Sequence, residues 1–130
     1  MISQITGKII QKTPPILTVD VNGIGYEVHA PMNAFYSMGE LNSTITLITH
    51  LVIRDDQHTL FGFTTQNERA LFRYLIKVNG IGPKLALAIL SSMDYHTFSQ
   101  HIINKNLDAL VRIPGVGKKT AERLLIEMQN

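Results

Sequence analysis

Two nine-residue stretches in the second half of this chain are near copies of one another, and a fold that accommodates one must accommodate both. Val78-Asn79-Gly80-Ile81-Gly82-Pro83-Lys84-Leu85-Ala86 aligns with Ile113-Pro114-Gly115-Val116-Gly117-Lys118-Lys119-Thr120-Ala121, 35 residues later. Both glycines, one lysine and one alanine are identical, and Val78/Ile113 and Ile81/Val116 keep a branched apolar side chain. In each copy a helix-like run ends at the first glycine and another begins just after the second. Glycine lacks Cβ and takes positive φ at little cost, so the backbone can turn tightly and leave its amides uncovered. Those amides fall at a helix N-terminus, where free N–H groups and the macrodipole attract an anion. Lys84 and Lys119, at the same offset, add charge beside them. The implied anion is a phosphate, and two copies imply a polymer of phosphates.

A lone Gly-x-Gly between helices is more often a simple C-cap. Repetition with a matched lysine reverses that preference. Two such hairpins can pack as a pseudo-twofold pair, each reaching one backbone of a duplex across the minor groove, and such binding is largely independent of sequence. The phosphate-binding candidates are Gly80, Gly82 and Lys84 in the first hairpin, and Gly115, Gly117, Lys118, Lys119 and Arg123 in the second. Lys119 and Arg123 are four apart and share a helix face. Arg69, Arg73 and Lys77 also share a face, but nothing in the sequence ties them to a ligand, and they read as surface. A nucleotide-binding loop at Gly117-Lys118 fails, because Arg112 stands where that motif needs glycine and Lys119 where it needs Ser or Thr.

Net charge is only +2, but its distribution is uneven. Residues 1–62 hold three Lys or Arg against five acids, a net −2, and residues 63–130 hold nine against five, a net +4. The basic half carries the hairpins, which favours nucleic acid over a small acidic ligand. There is no cysteine, which excludes disulfides and thiolate metal sites and points to a reducing compartment. No apolar run reaches membrane-spanning length, and the N-terminus lacks a signal-peptide pattern. A soluble, cytoplasmic protein with no membrane contact is expected.

The first half reads as strands. Ile2–Ile10 and Ile16–Val21 are rich in β-branched residues and flank Pro14-Pro15, and Asn22-Gly23 signals a hairpin before Ile24–Ala30. A short helical turn is expected at Asn33–Met38, then a strand at Thr44–Ile53, a polar turn at Arg54–Gln57 and a return strand at His58–Phe63. Five or six strands with a short insertion suggest a small Greek-key barrel of oligonucleotide-binding (OB) type. The second half reads as helices. Thr65 and Glu68 have capping-box spacing and open a helix to about Val78. Further helices are expected at Pro83–Ser91, Asp94–Asn104, Leu107–Arg112 and from Lys118 onward. The fold class is therefore α+β, all-β then all-α, with a barrel domain over 1–63 and a tandem helix-hairpin-helix domain over 64–130.

Asp55 and Asp56 sit at a hairpin tip, where acids are usually ordinary turn residues. They could hold a metal with His58, which would make a structure-selective nuclease, but no further carboxylate lies nearby in sequence. They could instead repel phosphate, each carboxylate–phosphate pair at about 5 Å costing on the order of 0.8 kcal/mol in water. Such a group makes sense only where DNA strands must be kept apart or steered. His29, His50, His58, His96 and His101 have no ligand spacing, and no catalytic constellation or cofactor site is evident. A general duplex or single-strand binding module of a repair protein remains open beside the nuclease.

The hairpin residues Asn79–Ala86 and Ile113–Arg123, with Asn22-Gly23-Ile24-Gly25-Tyr26-Glu27-Val28 and the acidic turn, resemble the RuvA family over the whole sequence. Members of that family are Holliday-junction-binding subunits of the bacterial RuvAB branch-migration complex. The resemblance implies a non-catalytic homotetramer, or octamer on DNA, that holds a four-way junction open during recombination and repair. It implies that the paired hairpins grip the arms through the residues named above. Asp55 and Asp56 become the acidic pin at the junction centre, where four strands cross. It further implies the RuvB ATPase and the RuvC resolvase as partners, with no cofactor. Family members continue through a linker into a small helical domain that docks RuvB. This sequence stops at Asn130, so junction binding is expected to survive and coupling to the motor is not.

Overall fold

Apolar residues at alternate positions build the first half. The computed structural model describes residues 1–129. Among these, β1 (Gln4–Thr13), β2 (Ile16–Val21), β3 (Ile24–His29), β4 (Thr44–Arg54) and β5 (Gln57–Phe63) form a closed barrel in the order β1-β2-β3-β5-β4. Every neighbouring pair is antiparallel except β3 and β5, which run parallel with Val28 opposite Leu60. Ile5, Ile9, Leu17, Val19, Val28, Leu47 and Leu60 point inward and form the core. The barrel of the expected type is present, with five strands among the described residues.

Strand β1 starts two residues later than its apolar run and continues three further, to Thr13. Its partner decides this: the ladder with β2 runs on to the pair Thr13↔Ile16 across the Pro14-Pro15 turn. Ile2 and Ser3 lie outside the strand, yet their carbonyls accept hydrogen bonds from the Thr49 hydroxyl and the Thr49 amide, at 2.8 and 2.9 Å. Helix α1 (Met32–Ser37) connects the end of β3 to the start of β4. Its Ala34 is buried with Phe35 and Met38 packed on the core, so α1 closes that end of the barrel. The opposite end carries the turns at Asn22-Gly23 and Asp55-Asp56.

The second half is helical: α2 (Gln66–Leu75), α3 (Pro83–Ser92), α4 (Tyr95–Ile103), α5 (Leu107–Val111) and α6 (Lys118–Glu127). Helix α2 stops three residues before the expected Val78, because its last turn tightens. Lys77 and Val78 donate to carbonyls three residues back, Tyr74 at 3.2 Å and Leu75 at 3.0 Å. No helix among the described residues is long and apolar enough to cross a membrane.

The chain divides into two compact units between Arg69 and Ala70. The first turn of α2 thus belongs to the barrel unit, and its hydrogen bonds explain why. Thr65 Oγ1 accepts from the Glu68 amide at 3.2 Å, the expected half of a capping box. The buried Glu68 carboxylate accepts from Thr64 Oγ1 and Asn33 Nδ2, both at 2.8 Å, and from Thr65 Oγ1 at 3.3 Å. Arg69, expected as plain surface, is half-buried and donates to the carbonyls of Ser3 at 2.9 Å and Thr49 at 3.3 Å. It fastens the first helix turn to β4 and the N-terminal segment.

Gly7 marks the tightest approach in the barrel. A Cβ there would overlap the Asp20 carbonyl oxygen, a backbone atom that cannot step aside. Gly7→Ala is expected to destabilise the protein by about 1–3 kcal/mol, read as a lower midpoint in urea unfolding. An unchanged midpoint would mean that β1 and β2 separate there without cost.

Candidate nucleic-acid interface

The two hairpins repeat one another in three dimensions as they do in sequence. In the first, the chain leaves α2 through the buried Val78, reverses at Gly80 (φ 94°), and buries Ile81, whose amide donates to the Val78 carbonyl at 3.0 Å. In the second it leaves α5 through the buried Ile113, reverses at Gly115 (φ 88°), and buries Val116, which donates to Ile113 at 3.0 Å. Gly82 and Gly117 then start α3 and α6 with nearly the same backbone, φ −90° and ψ 176° against φ −87° and ψ 178°. Each accepts the first helical hydrogen bond, from Ala86 at 3.0 Å and Ala121 at 2.9 Å, and both alanines are fully buried.

The two glycines of each hairpin do different jobs. Gly80 and Gly115 occupy the left-handed region that side chains disfavour. Gly82 and Gly117 are extended, a conformation open to any residue, and a Cβ on either would meet nothing within 4 Å. The fold therefore has no steric need of glycine at the second position. What the missing side chain does is leave the helix N-terminus bare. Helices α2, α4 and α5 are capped from within: Thr65 serves α2, Asp94 accepts from the Thr97 amide at 2.7 Å, and Asn106 accepts from Ala109 at 3.2 Å. The bond from Thr97 holds the Asp94 carboxyl below its usual range. Neither α3 nor α6 has a side-chain cap, and Pro83 at the first position of α3 has no N–H to satisfy.

The hairpins lie beside one another. A Cβ on Gly115 would come within 3.0 Å of Leu85 Cδ1, at the start of α3. Asn79 and Gly80 share a shallow depression with Lys119, Thr120 and Arg123, at the start of α6. Leu85 and Thr120 are matched positions of the repeat, so each reversal faces the other's helix start, the relation of a pseudo-twofold pair. Of the sequence candidates, Gly80, Lys119 and Arg123 meet in this depression. Lys84 and Lys118 are exposed at the first turns of their helices. Asn79 and Thr120 were not expected there; Asn79 has Pro114 as its counterpart, so the repeat gave no signal. Glu122 and Glu127 border the other side of Lys119 and Arg123.

Asp55 and Asp56 belong to the barrel unit. Both are exposed and form a two-residue turn closed by the pair Arg54↔Gln57. The last partner of β1 on β4 is Ile48, and β3 reaches only Leu60 and Phe61 of β5. The pairs Val52↔Thr59, Ile53↔His58 and Arg54↔Gln57 thus have no third strand, and a two-stranded ribbon carries the acids past the last residues of β4 and β5 paired with β1 and β3. Among the described residues no three His, Asp or Glu side chains gather closely enough to hold a metal ion.

Two protein families match this chain in order: the RuvA N terminal domain over residues 1–62 and the SAM-like helix-hairpin-helix tandem over residues 72–130. Among similar proteins are three called Holliday junction branch migration complex subunit RuvA. The one from Marinomonas sp. (strain MWYL1) is 58% identical over 130 residues, all of this chain and 65% of the relative. That from Actinobacillus succinogenes is 56% identical over 129 residues, 99% of this chain and 63% of the relative. That from Coxiella burnetii (strain RSA 493 / Nine Mile phase I) is 55% identical over 130 residues, all of this chain and 65% of the relative. The chain thus spans a little under two thirds of the length of these relatives. With a RuvA barrel followed by paired helix-hairpin-helix motifs, the chain belongs to the RuvA family over these two domains.

Proposed function

We propose that this chain binds four-way DNA junctions by shape and not by base sequence, without catalysis of its own, as a cytoplasmic homotetramer. The observation that carries this reading is the pair of bare helix N-termini at Gly82 and Gly117, in a unit whose other helices α4 and α5 cap themselves. A phosphate oxygen can take the place of the missing cap, accepting from amides at the first turn of α3 or α6. Lys84, Lys118, Lys119 and Arg123 then neutralise the phosphates to either side. With the two hairpins side by side, one such site faces each strand of a duplex arm. Four identical protomers would match four arms, as closed oligomers match symmetric targets. Asp55 and Asp56, carried on the projecting ribbon, repel phosphate at the point where strands cross. The names of the relatives support a place in a Holliday junction branch migration complex; the RuvB ATPase as motor, the RuvC resolvase as a further partner and a role in DNA recombination and repair rest on the family resemblance.

Gel-shift titration at stated salt, with and without Mg²⁺, against a four-way junction, linear duplex and single strand tests this directly. Preference for the junction without cleavage is expected, with a log–log salt slope approaching about −0.9 per phosphate neutralised. Equal affinity for linear duplex would leave only a general backbone-binding module, and metal-dependent product would revive a nuclease.

The two glycine positions separate binding from folding. Gly117→Val is expected to keep its unfolding free energy within about 1 kcal/mol while junction affinity falls about tenfold or more, the worth of one or two charge-assisted hydrogen bonds. Gly115→Val is expected to lose about 1–2 kcal/mol of stability, since its side chain must sit at positive φ. Normal junction binding by folded Gly117→Val would count against the amide site. Replacing Asp55 and Asp56 together by Asn is expected to leave or raise affinity and to narrow the gap between junction and linear duplex in the same assay.

A further inference from the structure

The repeat that defines the hairpins runs one residue further back than its buried entry positions. Lys77 precedes Val78 as Arg112 precedes Ile113, so each hairpin is approached by an exposed cation just past the end of its first helix. The two cations are housed differently. Lys77 Nζ lies 6.0 Å from the centre of the Tyr74 ring, within reach of a cation–π contact, and so already has a partner. The residue at Tyr74's place in the second copy is Ala109, and no ring stands there. Instead Arg112, Ala109, His101 and Asn106 line an open depression whose wall includes Ile113 and Pro114 of the second hairpin. Asn106 Oδ1 accepts from the Ala109 amide at 3.2 Å, which fixes the side of the carboxamide that faces His101. Its Nδ2 lies 3.3 Å from His101 Nδ1 and has only hydrogens to offer, so that ring nitrogen is the acceptor. The proton of the neutral imidazole therefore sits on Nε2, which has no partner among the described residues. Nor has the Arg112 guanidinium.

We infer that this depression seats a further phosphate of the duplex arm, held by Arg112 and His101, an inference that rests on the DNA-binding part of the reading above. Two donors without partners, one of them permanently charged, suit an anion with several acceptor oxygens, and a guanidinium can give phosphate two parallel bonds. The wall shared with the second hairpin makes the depression continuous with the proposed duplex contact, which selects a backbone phosphate over a free one. A cation at a helix C-terminus can be there for the helix alone. Here the last carbonyls of α4 and α5 already accept from the chain that follows them. Gln100 accepts from Asn104 and His101 from Asn106, both at 2.9 Å, while Asp108 accepts from Arg112 at 3.3 Å and Leu110 from Ile113 at 3.1 Å. Asp108, four residues before Arg112, is exposed and makes no ion pair with it among the described residues. The side chains of Arg112 and His101 are thus left for a group outside the chain. The two hairpins then contribute unequally: each offers a bare helix start, and the second adds a seat built from side chains.

Titration of linear duplex and of a four-way junction at several stated salt concentrations reads the seat. The buffer is mildly alkaline, where imidazole side chains are uncharged. Arg112→Gln is expected to weaken binding about three- to tenfold and to make the log–log salt slope shallower by about 0.9, the worth of one phosphate. Arg112→Lys keeps the charge and is expected to restore the slope. His101→Phe keeps a ring but removes an uncharged donor, so affinity is expected to fall about threefold with the slope unchanged. Lys77→Gln, the matched position whose cation is already held by Tyr74, is expected to leave the slope as it was. A thermal melt confirms that each variant folds. An unchanged slope in Arg112→Gln, or undiminished affinity in His101→Phe, would overturn the inference and leave the hairpin contacts standing. So would an equal loss of slope in Lys77→Gln, which would make the basic surface general and the depression incidental. If the unaltered protein binds neither DNA, the DNA-binding reading fails and the inference with it.

Discussion

The left-handed reversal at Gly80 and Gly115 is the constraint on which the helical unit rests. A helix that ends in this way presents the next helix start at a fixed angle, because branched apolar residues are buried on both sides of the turn, Val78 with Ile81 and Ile113 with Val116. The hydrogen bond across each reversal, from the fourth residue back to the first, encloses only two residues. With so little freedom, the second glycine of each hairpin is delivered to the surface with its helix amides forward. Rigidity here matters more than charge. A lysine on a mobile loop attracts phosphate from any direction, whereas two fixed amide clusters accept it at one spacing only.

The barrel solves a separate problem with different means. Closing five strands into so small a cylinder brings backbones within reach of one another, and Gly7 and Gly62 remove side chains that would collide with Asp20 and Val28. One end is sealed by α1, and the same helix sends Asn33 to the buried Glu68. The Thr64 and Thr65 hydroxyls and the Asn33 amide donate to that buried carboxyl, which gives a polar group away from water the partners it needs. The opposite end is left for the ribbon. The last three pairs of β4 and β5 are bonded only to each other, so the exposed acidic turn can meet a ligand without unfolding any other ladder.

Much of this was legible because it is local. The hairpin repeat, the capping signal at Thr65 and the turn at Asn22-Gly23 depend on neighbours in sequence, and each appears where its residues are. Strand β1 was misplaced because its extent is decided by β2 across the Pro14-Pro15 turn, not by its own apolar run. Arg69 was misread for a similar reason: its acceptors, Ser3 and Thr49, are far away in sequence, and no helical periodicity points to them. Asn79 was hidden by the imperfection of the repeat. The projection of the ribbon was also invisible, since it follows from where β1 and β3 stop pairing. The two glycines of each hairpin looked equivalent in sequence and differ in φ by about half the width of the map.

That difference bears on why the second glycine is there at all. Ser, Asp or Asn at position 82 or 117 would be the better cap, and glycine forgoes roughly a few tenths of a kcal/mol by comparison. The sacrifice is small, and what it preserves is vacancy. An aspartate cap would place its own carboxylate oxygen on the amides, as Asp94 does at α4, and so fill the position a phosphate needs. It would also add a negative charge beside Lys118 and Lys119. A helix start that satisfies itself is closed to ligands; one that begins with bare glycine stays incomplete until something outside the chain completes it. In α4 and α5 the chain closes its own helix starts, and in α3 and α6 it does not, which divides the unit into a scaffold and a binding face.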